Sequence, residues 1–537
     1  MIQNNHFRLA ALAASLFATV VSTAQTVELI KDINPNGSSY PENVHLVNDR
    51  LVFTADDGTN GRELWVSDGT EEGTVRVTDQ PFNQGACNCR DFIEYNNEVY
   101  FTQWVPGDGN RMYKTDGTEA GTVPVLDVQV PTQGVLDDDT PRGVSNGILY
   151  FENYDDDHGW ELWRTDGTDA GTWLVKDVNP GTGDSELNNF TDVDGTLYFS
   201  ANNDELWKSD GTEAGTELIT TLTSDFLSVK LIQFTNFNGT LIFGERYKLY
   251  KTDGTAAGTV LLKDFNPNHV TCVHAIHAST MIGDELWFAG DNFADGSGYE
   301  LWKTDGTEAG TVMVKNIVSV GGSHPNLFTW QNEQLFFRAY DNDGERKWWT
   351  TDGTEAGTVL SDVIPEDVGL APYDLMQADG VMYFNVQNGF GGPFSTGYTD
   401  GTAGGTHMFD LGDWSTGFFP AFQRVGGELW FVAGNSTYGT EIIKISLPGH
   451  LTSVGTTELA AAPKLWPNPS NGTFTVQLPE AAPAQLILTD LSGREVLRNQ
   501  LSSNSTSLVQ ANELPTGIYL ARIEQESSVH TQRIVIQ

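Results

Sequence analysis

Asp204-Glu205-Leu206-Trp207-Lys208-Ser209-Asp210-Gly211-Thr212-Glu213-Ala214-Gly215-Thr216 is one copy of a pattern that returns along the chain. Its Asp-Gly-Thr core stands at Asp68-Gly69-Thr70, Asp116-Gly117-Thr118, Asp166-Gly167-Thr168 and Asp210-Gly211-Thr212. It recurs at Asp253-Gly254-Thr255, Asp305-Gly306-Thr307, Asp352-Gly353-Thr354 and Asp400-Gly401-Thr402. Successive copies are 48, 50, 44, 43, 52, 47 and 48 residues apart. A period of roughly 40–50 residues marks a stacked or circular array of small units.

The residues around this copy define the unit. Asn188 to Val193 reads as a strand, and Asp194-Gly195 suits a tight hairpin turn. Thr196 to Ser200 is rich in β-formers. An acidic loop, Asn202-Asn203-Asp204, leads to Glu205-Leu206-Trp207-Lys208-Ser209. After the Asp-Gly-Thr turn, Glu217 to Thr220 is the fourth strand. These are strands a, b, c and d, and four antiparallel strands in one repeat match a propeller blade. Asn146-Gly147, Asn238-Gly239 and Asp379-Gly380 also fall between a and b and tolerate the positive φ of a type I′ turn. Leu and Trp of Glu-Leu-Trp take opposite strand faces. Both faces are therefore apolar, as they must be where each sheet lies between two others.

Strands of type b begin near Leu51, Val99, Leu149, Leu197, Leu241, Leu286, Leu335, Met382 and Leu429, which makes nine units. The last c strand, Glu441-Ile442-Ile443-Lys444-Ile445, has no d strand after it. Thr26-Val27-Glu28-Leu29-Ile30-Lys31-Asp32 reads like the d strand Thr259-Val260-Leu261-Leu262-Lys263-Asp264. The expected fold is all-β: a single large β-propeller of four-stranded blades, closed by the N-terminal strand. Nine blades is the count, and eight is the alternative if the unit at Gly391-Gly392-Pro393-Phe394-Ser395, which lacks Glu-Leu-Trp, is irregular. Closure would remove exposed sheet edges.

The two ends differ from the repeats. Residues 1–24 hold Arg8, an apolar run from Leu9 to Val21 and then Ser22-Thr23-Ala24, the layout of a secretory signal peptide cleaved near Ala24. That run is too short to span a bilayer, and no other stretch is long and apolar enough for a transmembrane segment. The predicted repeat domain covers residues 25–446, a linker residues 447–464, and a small C-terminal β-sandwich residues 465–537. The tail carries Pro467-Asn468-Pro469-Ser470-Asn471-Gly472, Asp490-Leu491-Ser492-Gly493 and Leu514-Pro515-Thr516-Gly517-Ile518-Tyr519. It ends on a basic-apolar run, Arg533-Ile534-Val535-Ile536. In this order these motifs resemble the type A C-terminal sorting domain of the type IX secretion system. The resemblance implies that type IX machinery is a partner and that the protein is secreted or displayed on the outer-membrane surface of a Gram-negative bacterium. The repeats resemble the bacterial ELWxxDGT-repeat proteins, a family recognised by its motif rather than by a reaction.

The chain has 72 acidic and 29 basic residues, a net charge of −43. Such a surface repels nucleic acid and attracts cations. Three cysteines give no even framework, and Cys87 and Cys89 stand too close for an unstrained bridge in an extended chain. Stability is therefore expected from packing. The Asp-Gly-Thr turns read as structural, since Asp and Thr side chains cap local backbone. Trp65, Trp163, Trp207 and Trp302 recur in register and read as packing between blades.

Chemistry is expected at the opposite, loop-bearing end. There Asp56-Asp57, Asp155-Asp156-Asp157, Asp341 and Asp343 form acidic b–c loops with oxygen donors suited to Ca²⁺. Beside them lie the d–a repeats Asp32-Asn34-Pro35, Asp177-Asn179-Pro180 and Asp264-Asn266-Pro267. Cys272 and His274 share a strand face with His277 opposed, which spoils a single transition-metal site. No nucleophile elbow, zinc-protease, P-loop or dinucleotide motif occurs. The expected function is a binding or scaffold module for extracellular polysaccharide or a surface protein, with no cofactor beyond calcium. The alternative is an extracellular propeller hydrolase or lyase acting on polysaccharide.

Overall fold

A computed structural model describes residues 26–78, 87, 89–105, 109–130, 142–222, 230–266, 276–291, 296–331, 334–363, 374–378, 380–387, 392, 394–417, 420–447, 464–466, 473–478, 484–489, 494–501, 506–511, 514–515, 517–525 and 528–536. The signal-peptide and most linker residues, Cys272 and His274, and two of the tail motifs (467–472 and 490–493) lie outside these. The chain divides into two compact units, residues 1–448 and 449–537.

In the first unit the described residues form nine antiparallel sheets in chain order. Sheets 1 to 4 run from strand a to strand d as Glu42–Val47 to Val75–Arg76, Arg90–Tyr95 to Val123–Val130, Arg142–Ser145 to Trp173–Lys176 and Asn188–Val193 to Glu217–Thr221. Sheets 5 to 8 are Leu231–Phe237 to Val260–Asp264, Ile276–Ile282 to Val312–Lys315, Asn326–Gln331 to Val359–Leu360 and Asp374–Ala378 to His407–Met408. Sheet 9 is composite. Glu428–Asn435 pairs with two short segments, Ser415–Thr416 and Gln423–Val425, and with Gly439–Ser446. Its outer strand is Val27–Leu29, in register with Ile443 to Ile445. The borrowed strand is where the sequence placed it.

Side-chain alternation explains the stacking. Trp65, Trp163, Trp207 and Trp302 pack toward the preceding sheet, whereas Leu64, Leu162, Leu206 and Leu301 pack toward the following one. Strand b supplies a buried Phe in every sheet: Phe53, Phe101, Phe151, Phe199, Phe243, Phe288, Phe337, Phe384 and Phe431. Sheet 9 shares a core with sheet 1, in which Trp430 and Ile442 meet Leu51, Phe53 and Trp65.

The hairpins follow their residues. Asn146-Gly147, Asp194-Gly195 and Asn238-Gly239 all have positive φ. Strand a has a feature the sequence did not disclose. Asn43, Asp91, Asn189, Gln233, Ala278 and Leu327 are left-handed, each at a register shift in its strand. These are β-bulges, which twist the strand locally.

Each Asp-Gly-Thr turn closes on itself. In sheet 6 the Thr307 N–H and hydroxyl donate to Asp305 Oδ1 at 2.9 and 2.7 Å. The Gly310 N–H then donates to Thr307 Oγ1 at 3.0 Å. The same bonds recur in sheets 1 and 8. A Cβ on Gly310 would run into the Asp305 carboxylate, which accounts for the second glycine of the motif.

Cys87 and Cys89 are joined by a disulfide, with Cα atoms 5.2 Å apart, against the expectation from their spacing. Both are buried beside Val52, Leu64 and Phe101.

The second unit holds two sheets. One has three strands, Lys464–Trp466, Thr473–Gln477 and Thr506–Gln510; the other has four, Glu495–Leu501, Ala484–Thr489, Gly517–Gln525 and Ser528–Ile536. Phe474, Val476 and Val509 of the first share a core with Leu486, Leu488, Ala521 and Ile523 of the second. The Tyr519 hydroxyl donates to the Pro515 carbonyl at 2.7 Å, tying the Leu-Pro-Thr-Gly-Ile-Tyr segment to itself.

Candidate functional site

In four sheets the Glu of strand c carries a role that strand periodicity did not reveal. Glu63, Glu161, Glu300 and Glu441 are fully buried. An isolated carboxylate could not stand there, so each must be matched by donors. Glu300 accepts the N–H groups of Ile317, Val318 and Ser323 at 2.9, 3.0 and 3.2 Å, and the Ser323 hydroxyl at 2.6 Å. Glu161 accepts from Val178 and Asn179 at 2.6 and 3.3 Å. Glu441 accepts from Asn34 and Ser39, which follow the borrowed strand. These side chains pin the d–a loop onto strand c. Burial pushes the Glu161 and Glu441 carboxyls up to about 7, their hydrogen bonds pulling the other way. Burial likewise raises Glu152, on strand b of sheet 3, to about 7.

The proposed calcium residues lie in three separate b–c loops. Asp56 Oδ1 accepts the Gly58 N–H, and Asp57 Oδ1 accepts those of Thr59 and Asn60. Asp57 also meets Arg76 at 3.5 Å. Asp155 Oδ1 accepts the N–H groups of Asp157 and His158 and lies 2.8 Å from the His158 ring. The Asp155 carboxylate raises the His158 imidazole above its ordinary range. Asp341 accepts from Asp343 and Glu345 and pairs with Lys347 at 3.0 Å. Asp156 sits between Asp155 and Asp157 in the second loop. Among the described residues, no three His, Cys, Asp or Glu side chains gather as a metal-ligand group.

A cleft lies at the other end, between sheets 6 and 7. It encloses about 490 Å³ and is lined by Met281, Ile282, Gly283, Glu285, Trp287, Trp330 and Asp352. Trp287 is buried in its floor, whereas Trp330, on strand a of sheet 7, is 42% exposed. Lys303 lies beside two of these residues, 2.9 Å from Glu285 and 5.3 Å from the Trp287 ring centre. Strand-b residues at the Trp287 position fill the same place elsewhere. The hydroxyls of Tyr100, Tyr150 and Tyr198 reach the turn glycines Gly167, Gly211 and Gly254 of the next sheet. The position of Trp330 is not repeated: pairing aligns it with Leu46, Glu94, Val144, Asp192, Asn236, Met281, Gln377 and Arg424. The cleft was not legible in the sequence because its residues come from three strands and two turns of two repeats. The departure from the repeat at Trp330 was the available signal.

Residues 464–537 match the family model described as the secretion system C-terminal sorting domain. That tail is a type IX sorting domain, so the chain is handled by that machinery and exported to the exterior or the cell surface. No curated protein matches the sequence. Among solved structures, a puromycin hydrolase is similar at 12% identity and TM-score 0.32, covering 69% of this chain and 60% of its own. One of two prolyl endopeptidases reaches 11% and 0.38, over 75% of this chain and 55% of its own. The chain thus spans little more than half of either enzyme. The extracellular domain of a one-component system from B. thetaiotaomicron gives 10% and 0.24, over 95% of this chain and 99% of its own. Likenesses this weak carry no information about what this chain does. No described helix is long and apolar enough to cross a membrane.

Proposed function

We propose that the repeat unit is a closed nine-bladed propeller, displayed or released outside the cell as a binding module for extracellular polymer. Its repeated carboxylates support this reading: they are consumed in holding backbone, Asp in the turns and buried Glu at the d–a loops, so the repeat builds a rigid frame. Closure is supported by contacts between sheets 9 and 1 that duplicate those between sheets 6 and 7. Lys31 Nζ donates to the Thr74 carbonyl at 2.8 Å, as Lys315 Nζ does to Thr358 at 2.7 Å. Trp430 abuts Gly69 as Trp287 abuts Gly353. A signal peptide over residues 1–24, cleaved near Ala24, completes the export proposal.

The test uses the exported protein. Electron-micrograph averages should show nine spokes around an axis, and an open arc or eight spokes would refute closure. The protein should be retained on insoluble polysaccharide or on the cell-surface fraction without releasing sugar. Release of product would replace the binding reading with the enzymatic one.

A further inference from the structure

We infer that the cleft between sheets 6 and 7 is a subsite for neutral saccharide, with Trp330 as its stacking platform. The inference rests on the binding reading above and names the ligand class and the place.

The cleft volume of about 490 Å³ falls within the roughly 300–1,000 Å³ typical of small-ligand sites. Its walls are mixed. Met281, Ile282 and Trp287 form an apolar base, and the Trp330 ring stands partly open to solvent beside them. An exposed indole offers a flat apolar face to the C–H face of a pyranose. Glu285 and Asp352 flank that face. Thr354 takes Asp352 Oδ1 and Lys303 pairs with Glu285, so an occupant meets only the remaining lone pairs of these carboxylates, which accept hydrogen bonds such as sugar hydroxyls donate. Lys303, beside the cleft, is already paired with Glu285 and so offers little to attract an acidic sugar. A chain charge of −43 adds a long-range repulsion against anionic polymers.

Trp330 has a built-in comparison. Trp173 is exposed to nearly the same extent, 41%, but the Arg164 guanidinium lies 4.3 Å from the centre of its ring. That face is occupied. Exposure alone therefore does not distinguish the two; the guanidinium over Trp173 and the cleft that Trp330 lines do.

The experiment is affinity electrophoresis of the full-length protein in gels containing a neutral polysaccharide (dextran, mannan or xyloglucan) or an acidic one (alginate or polygalacturonate). Wild type should be retarded by at least one neutral polymer and by neither acidic one. Trp330→Ala should weaken that retardation about tenfold or more, about 1.4 kcal/mol. Trp330→Phe should recover part of it, and Trp173→Ala should behave as wild type. Melting temperatures of the variants check that each is folded. Undiminished retardation of Trp330→Ala would overturn the cleft while leaving the binding reading intact. Retardation by acidic polymers alone, or capture of a peptide ligand at Trp330 instead, would overturn the ligand class. Wild type passing freely through every gel would refute the saccharide assignment. The binding reading would then stand or fall on retention by the cell-surface fraction.

Discussion

Sheets 6 and 8 carry the same Asp-Gly-Thr turn on quite different strands. In sheet 6, strand c is Tyr299–Thr304, with Glu300 buried and Trp302 packed against Phe265 at 5.0 Å. In sheet 8 it is Phe394–Thr399, where Ser395, Thr396 and Gly397 replace Glu-Leu-Trp. Gly397 leaves no room for a side chain, since a Cβ would meet the His407 carbonyl. Thr396 instead joins a buried hydrogen-bond group with Asn385 and Thr416, which reaches sheet 9. The turn depends on its own residues and cannot vary. The strand depends on its neighbours and changes when they change with it.

The sharpest way to break that comparison is at the buried acid. Glu300→Ala would leave three backbone N–H groups and a hydroxyl without their acceptor. Unsatisfied donors cost roughly 1–3 kcal/mol each, so a loss of at least about 3 kcal/mol is expected in denaturant unfolding. Ser395→Ala at the matching position of sheet 8 should cost about 1 kcal/mol or less. Equal losses would mean that the two strands are pinned alike.

The turns should show the opposite behaviour. Gly310→Ala and Gly405→Ala each force a Cβ into the Asp carboxylate of the same turn. Overpacking of this kind costs roughly 1–3 kcal/mol. The two variants should fall together, whatever strand they follow. A tolerant turn in either sheet would show that the motif is held by its strand after all.

The smallest effect is on pH. Glu161 and Glu441 have folded values of about 7 against an ordinary 4.5, so the folded state holds their protons more tightly. Their contribution is therefore full below about 4.5 and is lost as pH rises toward 7. The Asp turns act in the other direction. Asp305 is held below its ordinary 3.8 by the Thr307 hydroxyl and N–H, and its contribution fades as pH falls below that value. Melting temperature should peak near pH 4–5 and decline by a few degrees toward pH 8, at roughly 2–4 °C per kcal/mol. Glu161→Gln should flatten the decline. A melting temperature that rises from pH 5 to pH 8 would contradict the assignment.

Much of the frame was legible in the chain because its determinants are local or periodic. The Asp turn needs only neighbours within seven residues, and the alternation of Leu and Trp fixes which sheet each meets. Val27–Leu29 was recognisable as a d strand by likeness to Val260–Asp264, although its partner lies at the far end of the repeats. What escaped depends on contacts that spacing does not encode. Glu300 looked like one more polar residue of an alternating strand, because the loop that satisfies it arrives 17 to 23 residues later. The bulges at Asn43 and Leu327 use no glycine to announce them. The acidic loops drew attention by composition; the partners of their carboxylates, such as Lys347 for Asp341, did not show in the spacing. Trp330 stood out only once pairing had shown which residues share its position.

The borrowed strand also sets an order of events. Thr26 and Ser446, which hydrogen-bond at the edge of sheet 9, are 420 residues apart in the chain. At about 5–20 residues per second, a ribosome needs roughly 20 to 85 seconds between them. During that interval Val27–Leu29 has no partner, and Glu441, which will accept from Asn34 and Ser39, has not been made. The last sheet is thus a latch that only a complete chain can fasten. A product that stops short within the repeats keeps an unpaired amino end by which it can be told from a finished one.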